Sequence, residues 1–66
     1  MQIILNGNVK NVSDGLTTAG LLDDLGLQDQ RIAVEVNQEL VVRSSFATHE
    51  LQDGDCVEII QAIGGG

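Results

Sequence analysis

The sequence finishes on Gly64-Gly65-Gly66, directly behind the apolar run Cys56-Val57-Glu58-Ile59-Ile60-Gln61-Ala62-Ile63. Glycine is costly to order and brings no side chain to a core. Three of them in a row make a thin, flexible arm that can enter a channel too narrow for any Cβ. The chemistry available there is that of an α-carboxylate, ionised at neutral pH. Such a carboxylate can attack the α-phosphate of ATP and displace pyrophosphate, giving an acyl-adenylate. A sulfur nucleophile would turn that anhydride into a thiocarboxylate, and an amine would turn it into an amide. Either route needs a second protein with an ATP site, because this chain has no phosphate-binding glycine loop of its own. From Ile63 onward the arm reaches at most about 14 Å, so the globular body must dock beside the mouth of that enzyme. The plainer reading is an inert, frayed end or a cloning scar.

The other residues with chemical potential are few. His49 is the only histidine and Cys56 the only cysteine. A lone histidine in a polar loop is most often a surface residue. With no basic neighbour in sequence to activate it, Cys56 reads as a packed thiol at the start of a core strand rather than a nucleophile. Asp53 and Asp55 flank Gly54, too few ligands for a calcium loop, and turn-making is the better reading. No Ser-His-Asp set, HExxH or CxxC occurs. No catalytic residue and no metal site is expected.

The elements that would carry the arm are legible. Gln2-Ile3-Ile4-Leu5 reads as a strand, Asn6-Gly7 as a type I′ hairpin turn, and Val9 to Val12 as the returning strand, broken by Ser13-Asp14-Gly15. Thr17 is a candidate helix N-cap. Leu16 and Leu21 have the spacing of a hydrophobic staple, and Gly26 with Leu27 that of a Schellman ending. Gly20 inside the helix opposes it by about 1 kcal/mol. Asp23 and Asp24 lie at the end the helix dipole disfavours. Ile32, Val34 and Val36 alternate as on a half-buried strand, and Asn37-Gln38-Glu39 turns the chain into Leu40-Val41-Val42. Residues 43–51 predict a short helical turn with Phe46 and Leu51 closing the core. Gln52-Asp53-Gly54-Asp55 is a tight turn. A last strand runs from Cys56 to about Ala62, with Val57 and Ile59 facing inward and Glu58 and Ile60 outward. One helix on one face of a mixed sheet is an α+β roll.

Length and charge narrow the function. The 66 residues allow one small domain. Ten acidic residues against Lys10, Arg31 and Arg43 leave a formal charge of −7, which disfavours nucleic acid and anionic membranes and favours steering toward a basic protein surface. One cysteine cannot form an internal disulfide. The first residues lack a basic, apolar leader and no run is long enough to span a bilayer, so a cytoplasmic setting is expected.

Gly54-Asp55-x-Val57-Glu58-Ile59-Ile60 ahead of a terminal Gly-Gly resembles the ThiS family of thiamine-biosynthesis sulfur carriers. So do Ala33-Val34-Glu35-Val36-Asn37 with Arg43 six residues later, and Gly15-Leu16-Thr17 leading into Leu21-Leu22. The resemblance covers nearly the whole chain, with Val42 where family members often carry proline. It implies an α+β, ubiquitin-like β-grasp roll with the first and last strands parallel at the sheet centre, a domain over 1–63 and a glycine tail over 64–66. It also implies a carrier rather than an enzyme. A ThiF-like adenylating enzyme using ATP and magnesium would activate Gly66, with Gly64 and Gly65 as the approach. A sulfur-donating persulfide protein would supply sulfur, and thiazole synthase (ThiG-like) would receive it. In that fold Ile4 and Ile60 lie on adjacent strands turned away from the helix, as a candidate docking patch. The small subunit of molybdopterin synthase, or a protein modifier joined to lysines through the same carboxyl, shares the logic of the tail.

Overall fold

The computed structural model describes residues 1–61. Strands β1 (Gln2–Leu5) and β2 (Asn8–Asn11) pair antiparallel. Asn6 and Gly7 turn between them at φ +48° and +86°, the left-handed conformations a type I′ turn requires. After the break at Ser13–Gly15 comes helix α1 (Thr18–Asp24). Its cap is Thr17, whose Oγ1 accepts from the Gly20 amide at 3.0 Å. Its end is a full Schellman motif: the Gly26 amide donates to the Asp23 carbonyl at 3.0 Å and the Leu27 amide to the Leu22 carbonyl at 2.8 Å.

Gly20 looks like a defect in the helix until its surroundings are considered. A Cβ there would meet Leu16 Cδ1 at 2.8 Å and Thr17 Oγ1 at 3.3 Å. The glycine leaves the space in which Leu16 lies over the first turn and packs against the core, so the staple and the glycine belong together.

β3 (Ile32–Val36) and β4 (Glu39–Val41) form a second hairpin, turning at Asn37 and Gln38 with φ +53° and +70°. The two-residue turn starts β4 at Glu39, one residue earlier than expected. Register then places Val41 inward opposite Val34, and Leu40 outward opposite Glu35. A 3-10 turn follows at Arg43–Ser45, and Phe46 and Leu51 close the core as expected. β5 (Cys56–Gln61) completes the sheet.

The order is β2-β1-β5-β3-β4, with β1 and β5 parallel and every other pair antiparallel. The inner face packs Ile3, Val34, Val36, Val41 and Val57 against Leu21, Leu22, Phe46 and Leu51. Cys56 does not join them. Since Val57 points inward, strand alternation turns Cys56 to the other face, where its thiol is exposed rather than packed.

Candidate docking face and tail root

β5 is the strand that leads into residues 62–66, and it is tied along both sides. β3 pairs with it from Val36↔Val57 to Ile32↔Gln61, and β1 pairs with its first half. Two turn asparagines extend the grip. Asn6 Oδ1 accepts from the Ile59 amide at 2.9 Å, standing in for strand backbone where β1 has ended. Asn37 Oδ1 accepts from the Cys56 amide at 3.0 Å, and its Nδ2 donates to Asp55 Oδ1 at 3.0 Å. Asn6 and Asn37 were visible in the sequence only as turn residues.

The remaining polar candidates are spent on structure. Asp55 also accepts from the Gln52 amide at 2.8 Å, and Asp53 Oδ1 accepts from the Gln2 amide at 2.8 Å. The turn-making reading therefore stands. His49 is more than a surface residue: it is half-buried, with Nδ1 3.1 Å from Thr18 Oγ1, and its carbonyl accepts from the Thr18 amide at 2.9 Å. It clips the 43–51 segment to the helix start. Among the described residues, no group of three or more His, Cys, Asp or Glu is placed to hold a metal, and no helix is long and apolar enough to cross a membrane.

The outer face of the sheet is different in character. Val9, Leu40 and Ile60 are large apolar side chains exposed on it. Register orders the face in rows: Val9, Ile4 and Cys56; then Leu40, Glu35 and Glu58; then Ala33 and Ile60. Ile4 and Ile60 are on adjacent strands and both turn outward, but they are not neighbours. Cys56 stands beside Ile4, and Ile60 lies four residues farther along β5, about 13 Å away at strand rise. Ile4 is half-buried while Ile60 is 52% exposed. Between them, Glu35 and Glu58 sit directly opposite one another, a like-charge cross-strand pair that costs stability. Among the described residues no basic side chain neutralises either, the one ion pair being Met1 N with Asp14.

Ile60 marks the end of the sheet from which the chain continues. Arg31, Ile32, Ala33, Arg43 and Ile60 line an open cavity of about 390 Å³ there. The expected glycines Gly64, Gly65 and Gly66, and the domain boundary at 63, lie outside the described residues.

A five-stranded mixed sheet with its terminal strands parallel at the centre, and one helix across a single face, is the ubiquitin-like β-grasp class. A model of the ThiS family matches residues 3–66, and the chain belongs to that family, the sulfur carrier proteins of thiamine biosynthesis. It is 36% identical over its whole length to the whole of the sulfur carrier protein ThiS of Escherichia coli. The crystal structure of the thiamine biosynthesis protein ThiS from Geobacter metallireducens superposes with a TM-score of 0.86 at 33% identity, covering all of both chains. The chain is also 42% identical over its full length to part of a thiazole synthase from Paramagnetospirillum magneticum, of which it spans only 20%.

Proposed function

We propose that this chain carries sulfur as a thiocarboxylate on Gly66. A ThiF-like enzyme, with ATP and magnesium, joins a Gly66 carboxylate oxygen to the α-phosphate and releases pyrophosphate. A persulfide sulfur then attacks the acyl carbon and AMP leaves. A thiol reductant cleaves the S–S bond, and the thiocarboxylate passes its sulfur to thiazole synthase. The chain is co-substrate rather than catalyst, since its own terminus is what reacts, and a cytoplasmic setting supplies the nucleotide and reductant. The observation that carries this reading is the placement of β5. The strand held from both sides is the one that runs on into the glycines, in a chain matched end to end by a sulfur carrier. The occurrence of a ThiS-like segment within a thiazole synthase supports that enzyme as recipient. Ile60, on the outer face at the tail root, is the apolar part of the docking surface. Ile4, a row of glutamates away, is a secondary contact.

Intact-mass measurement tests the proposal. The carrier is incubated with a ThiF-type enzyme, ATP, magnesium and a persulfide donor. Exchange of one terminal oxygen for sulfur is expected, and no exchange after deletion of Gly65 and Gly66. An unchanged mass under conditions that modify the Escherichia coli carrier would refute it.

A further inference from the structure

Arg31 and Arg43 are two of only three basic side chains in a chain of charge −7. Twelve residues apart in sequence, they border one cavity because the β3–β4 hairpin brings its two open ends together: Arg31 precedes β3 and Arg43 follows β4. Both line the cavity that Ile60 and Ala33 floor with apolar surface. Arg43 is held in place, its guanidinium carbon 5.7 Å from the centre of the Phe46 ring and Nη2 donating to the Gln30 carbonyl at 3.4 Å. Cation–π contact at that range orients an arginine while leaving most of its five donors unused. All ten acidic side chains lie among the described residues, yet none pairs with either arginine.

We infer that Arg31 and Arg43 form, with Ile60, a subsite for a carboxylate side chain of the adenylating enzyme, at the rim of the channel that receives the tail. The inference rests on the proposed function. An arginine fork suits a planar carboxylate, and desolvation against Ile60 and Ala33 strengthens the pairing. Distance separates this anion from the nucleotide. From Gln61 the five residues to Gly66 extend about 17 Å, so with Gly66 at the α-phosphate the tail root faces protein. The subsite has its own orienting role. Glu35 and Glu58 call for a basic group one row away, and the arginines call for an acidic one. A partner with that order of charge can seat the sheet only with β5 aimed at its channel.

The test is steady-state pyrophosphate release by a ThiF-type enzyme with the full chain and its Arg31→Glu, Arg43→Glu and doubly substituted forms. The expected result is a KM for carrier raised about tenfold or more in the double variant, with kcat and the KM for ATP changed less than about twofold. Because Arg43 packs over the Phe46 ring, Arg43→Glu also removes a contact to the core. The Arg31 side chain makes no hydrogen bond or ion pair among the described residues, so Arg31→Glu keeps the test sound, with an expected KM increase of about threefold or more. An unchanged carrier KM in both Arg31→Glu and the double variant would overturn the subsite while leaving the carrier function standing. A raised KM for ATP instead would overturn it in favour of a phosphate. If deleting Gly65 and Gly66 shifts the arginine side-chain NMR signals of the free protein, the occupant is the chain's own terminus and the inference fails. Absence of turnover with the wild-type chain would overturn both this inference and the function it rests on.

Discussion

Along β5, Val57 and Ile60 stand three positions apart and point to opposite sides of one sheet. Val57 is 1% exposed under α1, and Ile60 is 52% exposed on a face that none of the described elements covers. The inner face joins side chains from every strand but β2 with the helix and the 43–51 segment into one apolar cluster. The outer face interrupts its apolar rows with two glutamates placed opposite each other. Fold stability therefore rests on one side, and the other is free to be shaped for a partner even at some cost to the domain.

Placing the same substitution on each face gives the largest contrast. Val57→Asp buries an unpaired carboxylate, a change of several kcal/mol. A domain this small has about 3–5 kcal/mol to lose, so loss of NMR dispersion at 25 °C is expected. Ile60→Asp should move stability by no more than about 0.5 kcal/mol and keep the native spectrum, while lowering adenylation at limiting carrier. An Ile60→Asp protein that unfolds would erase the distinction between the faces. One that folds and is adenylated normally would remove Ile60 from docking.

Helix α1 belongs to the inner side of the comparison, and its first turn depends on one hydroxyl. Thr17→Ala removes the acceptor of the Gly20 amide. It should cost about 1 kcal/mol, or about 6 °C in Tm for a domain of this size, followed by thermal circular dichroism. Adenylation of the folded protein should not change, because Thr17 lies on the far side of the sheet from Ile60. A change in the KM for carrier with little loss of Tm would mean that the helix side also docks.

What could be read in advance follows the range of the interaction. Thr17, Gly26 and Asn6-Gly7 act within a few residues of themselves, and each was legible from spacing. Alternation disclosed which side of β3 faces inward. The strand order was available only through resemblance, because nothing local says that β5 inserts between β1 and β3. The bonds from Asn6 to Ile59 and from Asn37 to Cys56 span 53 and 19 positions, so both asparagines read as turn formers alone. The placing of Arg31 and Arg43 on one cavity depends on hairpin register, and the gap between Ile4 and Ile60 on the register of β1 with β5. Cys56 was misread because its neighbours are apolar, and apolar runs do not announce which member points outward.

The smallest effect concerns the glutamate row, and its sign matters more than its size. If the outer face served stability, Glu58 would not stand opposite Glu35. Glu58→Lys replaces that repulsion with a cross-strand ion pair, and the expected gain is about 0.5 kcal/mol. The rise in Tm, a few degrees at low ionic strength, should shrink in high salt as exposed charges are screened. Carrier function should move the opposite way, with a higher KM, because the substitution presents a cation where the partner is expected to present one too. A variant less stable than the wild type at low salt would show that the two carboxylates are already accommodated by the sheet. The outer face would then be tuned for the fold as well, and the contrast between Val57 and Ile60 would reflect burial alone.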